Sequence, residues 1–338
     1  MKTAQDVSSS VLEEFANDIR KDMRRKKISD RMPILVLAVL VLFFSIAAEG
    51  FFTLGNLKSL LNQIALPLLV SVSVTFVIVL GSINLAVEGI MALCGCVFSV
   101  LVMNNQNTRD MGFMAIPVVL LIGLAAGGLI GIIHVKVKLP SFMVTYAFNY
   151  IFLGLALKSY MGIPASITDP VFSNVHLMEF IGVPVITWVS LLIFVVALIV
   201  QKGTAFGQYI YAIGSNEKNL QATGVNVARV KIIVFLLSGI GLAIAGIIAA
   251  LRLGRGELAM SSGKMFPAFT AIVLGGTPMS GGRGGMVNTL FGALIVTVLI
   301  NGMVLMGVSA YVQDGIQGIV ILVAVILSIK RGNRVVNK

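Results

Sequence analysis

Long apolar runs alternate with short polar turns along nearly the whole chain after residue 32. Several runs approach the roughly 20 residues that an α-helix needs to cross a bilayer. The pattern predicts an all-α integral membrane protein with about ten transmembrane helices. The predicted spans are 33–48, 60–80, 84–103, 113–134, 141–160, 181–200, 229–251, 267–280, 286–307 and 312–329.

Two of these regions are predicted to hold broken or short helices, near residues 81–90 and 267–285. The run 267–280 is too short to cross a bilayer as one helix. Pro267 stands at its start and the glycine-rich run 281–285 follows it. Both flanks favour a re-entrant or interrupted helix, with the glycines forming a turn at the membrane surface.

One transmembrane domain, residues 32–330, is predicted to fill most of the chain. The segment 1–31 is predicted to be cytosolic, amphipathic and basic. Residues 8–31 are predicted to form a helix that lies on the membrane, with Ser10 and Glu13 fitting a capping box. Residues 331–338 are predicted to be a basic cytosolic tail. The apolar runs leave no room for a folded soluble domain.

Composition and charge agree with a membrane protein and give its orientation. Hydrophobic residues make up 57% of the chain and charged residues only 12%, whereas soluble domains hold about 25% charged residues. Lys and Arg concentrate on the cytosolic side of membrane proteins. With both termini cytosolic, 19 of the 25 basic residues lie on that side. We therefore predict cytosolic termini and ascribe the net charge of +11 to this bias.

The segment 201–231 is the longest mixed polar stretch between two apolar spans. Lipid cannot solvate such a run, so it must lie in water or against protein. We interpret it as a cytosolic coupling loop through which a separate motor protein moves the membrane domain. An ordinary solvated loop is the alternative.

Glu88 lies inside an apolar region, with Asn84 four residues before it. A carboxylate in the middle of a bilayer costs on the order of 2.5–3.5 kcal/mol, so Glu88 is expected to face a cavity or another helix. On a continuous helix the two side chains would share a face and could bind a polar solute. A structural clamp between helices is an equal alternative.

A second polar cluster follows one face of the fifth span and consists of Ser141, Thr145 and Asn149, with Tyr146 beside them. Hydroxyl and amide groups next to aromatic rings are suited to the passage of a sugar. Hydrogen bonding between helices explains the same residues equally well.

The sequence offers no catalytic machinery. His134 and His176 do not have metal-ligand spacing, and Cys94 and Cys96 are interpreted as small packing residues. A phosphate-binding G-x-x-x-x-G-K-[ST] loop is absent from the sequence. We predict that the chain is not an enzyme, has no ATPase site, and uses no metal or cofactor.

Four stretches together resemble the permease subunits of ribose-type sugar ABC importers, within the branched-chain amino acid/sugar permease superfamily. They are GSINLAVEGIMAL at 81–93, LPSFMVTYAFNYIFLGLAL at 139–157, TAFGQYIYAIGSN with TGVNVARVK inside 203–231, and AIVLGGTPMSGGRGG at 271–285.

This resemblance implies a permease subunit that forms the path for a small polar solute, with a monosaccharide favoured: a ribose-like pentose or a hexose. The implied partners are cytosolic ABC ATPase subunits, a second permease in a homodimer or heterodimer, an extracytoplasmic solute-binding protein and membrane lipid, but no nucleic acid. The implied location is the bacterial cytoplasmic (inner) membrane, which the chain crosses several times.

The resemblance also implies that a helix within 215–224 is seated in a groove of the ATPase. The implied coupling residues are Ser215, Asn216, Glu217, Ala222 and Gly224. The local sequence around Glu88 is closer to nucleoside and simple-sugar permeases. A nucleoside importer and an importer of an autoinducer-2-like furanose signal therefore remain alternatives. An ion-coupled secondary transporter is an alternative of another class, because it needs buried titratable groups and Glu88 is an acidic residue inside a predicted span.

Overall fold

The computed structural model describes residues 32–175 and 177–328. The predicted N-terminal helix within 1–31, the basic tail 331–338 and His176 lie outside these residues. Eleven α-helices account for most of the described chain. They are α1 (Met32–Ala47), α2 (Leu54–Val79), α3 (Val87–Leu101), α4 (Ala115–Val137), α5 (Ser141–Ser159), α6 (Val185–Gly203), α7 (Ala205–Ala222), α8 (Val227–Leu253), α9 (Met265–Leu274), α10 (Met286–Leu305) and α11 (Ala310–Ser328).

Four two-residue strands form two small antiparallel sheets at one end of the helix bundle. The strands are β1 (Ala165–Ser166), β2 (Glu179–Phe180), β3 (Val183–Pro184) and β4 (Arg255–Gly256). β1 pairs with β4, and β2 pairs with β3 in a hairpin.

Six helices are long and apolar enough to cross a membrane by length and composition: α2, α4, α5, α6, α8 and α10. The prediction of an all-α, multi-pass membrane protein is therefore confirmed. The count of about ten transmembrane helices is not confirmed, because the other four predicted spans correspond to the shorter apolar helices α1, α3, α9 and α11.

Two helices are interrupted where the sequence indicated. Residues 81–86 after α2 are not helical, so α3 begins only at Val87. We call residues 81–86 the unwound segment. α9 has ten residues, which give about 15 Å of helix, half of what a bilayer core requires. Residues 275–285 between α9 and α10 form an irregular turn.

The segment 201–231 is helical for most of its length, which differs from the expected loop. α7 occupies residues 205–222, and α6 and α8 extend into the segment from either side. Thr204 caps α7 by accepting the amide hydrogen of Gly207 at 3.3 Å. The polar composition that suggested a loop belongs to a helix that packs on the end of the apolar bundle through Ile210 and Ile213.

α2 is the central helix of the bundle and packs against α6, α8, α9 and α10. Its second half is buried on all sides, as expected for a nearly continuous apolar run. The hydroxyl groups within this half donate hydrogen bonds to carbonyl oxygens of their own helix. Thr75, for example, donates to Ser71 O at 2.7 Å. Thr75 also bonds the hydroxyl group of Thr289 on α10 at 2.8 Å. These bonds satisfy polar groups that lipid cannot solvate.

The two ends of the bundle differ in charge. One end holds the turns 138–140, 203–226 and 275–285, and its basic residues are Lys136, Lys138, Lys202, Lys218, Arg229, Lys231 and Arg283. We call it the basic end. The opposite end holds the two sheets and carries both acidic and basic residues, including the ion pair of Lys58 with Glu179 at 3.0 Å.

α4 and α8 pack closely against each other through small residues. A Cβ atom on Gly239 would overlap the carbonyl oxygen of Gly123, and one on Gly127 would overlap that of Phe235. Backbones approach this closely only where side chains are absent. The absence of side chains at Gly123, Gly127 and Gly239 therefore permits the close packing of α4 on α8.

We predict that Gly239→Ala lowers the free energy of unfolding by about 1–3 kcal/mol, because the added methyl group must separate α4 from α8. Gly154→Ala is the matched control, since a Cβ atom there meets nothing within 4 Å. Alanine at an open helical position is favoured over glycine by about 0.5–1 kcal/mol. Thermal unfolding in detergent measures the stability of both variants. Equal melting temperatures for Gly239→Ala and Gly154→Ala would contradict the prediction.

Candidate functional site

The unwound segment exposes backbone groups inside the bundle, and side chains of α5 pair with them. The hydroxyl oxygen of Ser141 accepts the amide hydrogen of Ile83 at 3.0 Å. Thr145, one turn later, is buried and donates to Ser141 O at 2.8 Å, with Ile83 O at 3.3 Å. An unpaired backbone group costs several kcal/mol in lipid, so this face of α5 stabilises the interruption of the helix.

Asn149 continues the same face and contacts the first turn of α3. Its Oδ1 atom accepts the amide hydrogen of Gly89 at 2.7 Å. A Cβ atom on Gly89 would lie 2.5 Å from the carbonyl oxygen of Asn149, so glycine is what permits this close approach. Ser141, Thr145 and Asn149 thus form one ladder along residues 83–89.

Asn84 lies in the unwound segment and not on a helix with Glu88, because α3 begins three residues later. Its side chain is 1% exposed. Its Nδ2 atom donates to the hydroxyl oxygen of Ser238 at 3.1 Å, and its Oδ1 atom accepts the amide hydrogen of Ala86 at 3.0 Å. Asn84 therefore joins the unwound segment to α8, and the expectation that it shares a helical face with Glu88 is wrong.

Glu88 is half-buried in the first turn of α3. Its Oε1 atom accepts the amide hydrogen of Met265, the first residue of α9, at 3.3 Å. The N-terminal ends of two helices therefore meet at one carboxylate, and each N-terminus stabilises a negative charge by about 0.3–1 kcal/mol. Lys264 directly precedes Met265. This arrangement explains how a carboxylate is accommodated in an apolar region.

Tyr146 and Tyr150 project from α5 beside this site. Their side chains are largely exposed, their hydroxyl oxygens are 3.2 Å apart, and their rings meet edge to face at 5.1 Å. α5 has the lowest mean hydropathy of the six long apolar helices, and most of its residues are exposed. Phenol groups and low hydropathy favour contact with water or protein over contact with lipid tails.

The polar surface at the basic end is built on α7. The backbone of Asn216 is extended and breaks α7 in two. The Oδ1 atom of Asn216 then accepts the amide hydrogen of Asn219 at 3.3 Å and caps the second part. Gly224 has a φ of +81°, the left-handed conformation that commonly ends a helix. We call the short helix 217–222 the coupling segment.

An ion pair fastens the coupling segment to α8. The Nζ atom of Lys231 lies 2.8 Å from both carboxylate oxygens of Glu217. Such partly exposed pairs contribute about 0.2–1 kcal/mol. The other predicted coupling residues, Ser215, Asn216, Ala222 and Gly224, are exposed. The surface they form is therefore accessible to a partner.

A cavity of about 470 Å³ lies beneath the coupling segment, between α8 and the turn from α4 to α5. His134 shapes this turn through its Nδ1 atom, 2.7 Å from Leu139 O. In the part of the chain that the structure describes, His, Cys, Asp and Glu form no cluster that could hold a metal ion.

A junction of glycines connects this surface to the bundle. The amide hydrogen of Gly282 is donated to Val79 O, at the end of α2, at 2.8 Å. A Cβ atom on Gly214 would overlap Val79 O and would lie 2.5 Å from Gly282 N. A Cβ atom on Gly281 would likewise lie 2.6 Å from Gly81 N. We call Gly81, Gly214, Gly281 and Gly282 the glycine junction.

Hydrogen bonds beside the glycine junction join α6, α7 and α10. The hydroxyl group of Tyr211 donates to Gly284 O at 2.5 Å and accepts from Gln201 Nε2 at 2.8 Å. Gln201 Oε1 accepts the amide hydrogen of Met286, the first residue of α10, at 2.9 Å. Burial raises the pKa of the Tyr211 phenol, and the Gln201 hydrogen bond opposes this shift. The phenol therefore stays protonated at neutral pH, as its role as a donor requires.

The sequence indicated some residues of this junction but not the contacts between them. The run 281–285 was identifiable as a glycine turn, whereas Gly214 lies within α7. Tyr211 and Gln201 carried no sequence signal, because their partners lie between ten and eighty-five residues away. No local pattern indicates which turns will touch.

Comparison with known proteins extends these observations. Residues 56–325 match the model of the family described as branched-chain amino acid transport system / permease component. The ribose import permease protein of Bacillus subtilis is 36% identical over 301 residues, covering 88% of this chain and 92% of that protein. The ribose import permease protein of Escherichia coli is 32% identical over 316 residues, covering 92% and 97%.

The L-arabinose transport system permease protein of Escherichia coli is 31% identical over 301 residues, covering 87% of this chain and 88% of that protein. No solved structure matches the chain. The family match spans most of the chain, including the unwound segment, the ladder on α5, the coupling segment and the glycine junction. This chain therefore belongs to the branched-chain amino acid transport system permease family.

Proposed function

We propose that this chain is the membrane-spanning permease subunit of an ATP-driven importer for a monosaccharide, a ribose-like pentose or a hexose. The observation that carries the proposal is similarity over nearly the full length to permeases named for ribose and L-arabinose. ATP hydrolysis belongs to a separate ATPase subunit, and an extracytoplasmic binding protein delivers the solute. The nucleoside, furanose-signal and ion-coupled alternatives are not favoured by these relatives.

Ten crossings complete the proposed topology, with both termini in the cytosol. α1, α3, α9 and α11 each supply a crossing, and irregular segments lengthen α3 and α9. Irregular backbone at membrane depth is tolerated where protein satisfies it, as the ladder on α5 does. The proposed domain bounds stay 1–31, 32–330 and 331–338.

The charge of the terminal segments supports this orientation. Among the described residues the basic end holds seven Lys and Arg and the opposite end six, which alone decides little. Pro33 lies near Gly276 at the basic end, and the 31 residues that precede α1 in the sequence include eight Lys and Arg. Basic residues close to the ends of membrane spans concentrate on the cytosolic side. The proposed topology therefore places the basic end in the cytosol.

In the proposed path, Glu88, Tyr146 and Asn149 face the solute, because they are only partly buried or are exposed. Carboxylate and amide groups accept and donate hydrogen bonds to sugar hydroxyls, and a tyrosine ring packs on a sugar face. Asn84, Ser141 and Thr145 shape the path from behind by holding the unwound segment. A second permease subunit, identical or related, covers the exposed face of α5.

In the proposed coupling, the ATPase receives the coupling segment with the predicted residues Ser215, Asn216, Glu217, Ala222 and Gly224. A partner shifts a conformational equilibrium only by binding one state better than another. The glycine junction links this surface to the end of α2, to the unwound segment and to α10. ATPase movement thereby reaches the path through contacts between backbones.

Gly224→Trp is expected to abolish ATP-dependent uptake and to prevent co-purification of the ATPase, because a large side chain then projects from the docking surface. Space around Gly224 is open, and the left-handed backbone costs a residue with a Cβ atom only about 1–2 kcal/mol, so the variant should remain folded in the membrane. Proteoliposomes with ATPase, binding protein and labelled ribose or arabinose measure uptake.

Gly307→Trp is the matched control for Gly224→Trp. Gly307 has a similar φ of +73° and equally open surroundings, but lies between α10 and α11 at the opposite end. The Gly307→Trp variant should still co-purify with the ATPase. Normal uptake by Gly224→Trp would refute docking at this surface, and uptake by the wild-type chain without ATPase would refute the proposed function.

We predict that Tyr211→Phe retains the ATPase but transports several-fold less solute per ATP hydrolysed. The variant leaves Gly284 O without its donor, at a cost of about 1–3 kcal/mol, and loosens the link between α7 and α10. Tyr209→Phe, on the same helix outside the Tyr211 bonds, is the control and should behave as wild type. Unchanged coupling in Tyr211→Phe would exclude this link from transmission.

Glu88→Gln distinguishes a solute contact from a structural clamp. Glutamine keeps an oxygen that can accept the Met265 amide hydrogen but removes the negative charge. We expect apparent solute affinity to fall about tenfold, equivalent to about 1.4 kcal/mol, with little change in melting temperature. Uptake as a function of solute concentration and thermal unfolding measure the two effects. Unchanged uptake with a lower melting temperature would establish the clamp.

A further inference from the structure

The hairpin of β2 and β3 displays an apolar tip at the opposite end of the bundle. Phe180 is 60% exposed and Ile181 is 78% exposed. The hairpin leads directly into α6, which begins at Val185. Two large apolar side chains at the tip of a hairpin are unusual for a surface that faces only water.

The turn of this hairpin holds a residue that does not favour its conformation. Ile181 has a φ of +55° and Gly182 a φ of +72°. Two-residue turns with both φ values positive prefer Asn-Gly or Asp-Gly. A left-handed backbone costs a residue with a Cβ atom about 1–2 kcal/mol, and β-branching adds to the crowding. An apolar side chain therefore occupies this tip against the preference of the turn.

The other side of the hairpin is polar. Glu179 forms an ion pair with Lys58 of α2 at 3.0 Å, and both side chains are nearly half exposed. The Lys58 stem passes beside Gly182 at the turn. The hairpin thus presents charges on one side and an apolar tip on the other.

The apolar tip continues the exposed stripe of α6. Trp188 donates from Nε1 to Phe180 O at 3.1 Å, and the two rings lie 6.2 Å apart. Leu192 and Val195 follow Trp188 on the same face and are also exposed. α6 is long and apolar enough to cross a membrane, and tryptophans concentrate where such helices meet the headgroups. The tip therefore lies at the headgroup level of a lipid-facing surface.

We propose that the hairpin is an interfacial element whose tip, Phe180 and Ile181, inserts into lipid at the boundary between headgroups and acyl chains. Lys58 and Glu179 then lie among the headgroups. Interfacial anchors set the tilt and rotation of a membrane helix, so the hairpin fixes the depth and rotation of α6. This inference does not depend on the proposed function or on which leaflet the hairpin enters.

Tryptophan fluorescence tests the proposal, because the chain contains a single tryptophan. In a Trp188→Phe background, Phe180→Trp is reconstituted into vesicles whose phosphatidylcholine is brominated near the headgroup end or near the methyl end of its acyl chains. We expect blue-shifted emission and a loss of fluorescence that is greater with the shallow bromines. Ile181→Trp in the same background is the second variant and should behave alike.

Two further variants calibrate the measurement. Leu192→Trp reports a position one turn below Trp188 on the exposed face of α6 and should be quenched by the deeper bromines. Phe172→Trp reports a site that is 4% exposed in the native chain and should resist both bromolipids and aqueous acrylamide.

Two outcomes would overturn the proposal. Quenching of Phe180→Trp and Ile181→Trp by acrylamide, with no response to bromolipid, would place the tip in water. Emission that responds only when the binding protein or a second permease is added would make the tip a protein-docking surface.

Discussion

A backbone that leaves its helix inside an apolar bundle must find other hydrogen-bond partners, and this constraint underlies the structure. The unwound segment meets it with side chains from two helices, α5 and α8. Ser141 pairs with Ile83, and Asn149 pairs with Gly89. On the other side, Asn84 pairs with Ser238. Because these partners come from different helices, the interruption also fixes how α3, α5 and α8 sit against one another.

The same constraint acts at the basic end, where glycine replaces side-chain pairing. Val79 O, at the end of α2, is satisfied by the amide hydrogen of Gly282, which can approach because Gly214 has no Cβ atom in the way. The coupling segment follows Gly214 after two residues. The surface proposed to meet the ATPase is therefore connected, backbone to backbone, with the helix that ends in the unwound segment.

Much of this organisation was predictable from local sequence. Apolar runs located ten of the eleven helices, most of their ends within a few residues, whereas the polar composition of α7 suggested a loop. The glycine run 281–285 marked the turn before α10. The polar face of α5 followed from the four-residue spacing of Ser141, Thr145 and Asn149. The number of membrane crossings could not be predicted from the sequence, because only six of the described helices are long and apolar enough to cross by length and composition. The meeting of Val79, Gly214 and Gly282 did not follow either, since it joins residues far apart in the chain.

The regular spacing of the ladder on α5 has a mechanical consequence. Its members stand one helical turn apart on a single stripe, so turning α5 about its axis would break every rung at the same moment. A partial rotation would leave polar groups stranded in a medium without water, which penalises intermediate angles. The ladder therefore resists rotation of α5 away from its observed setting.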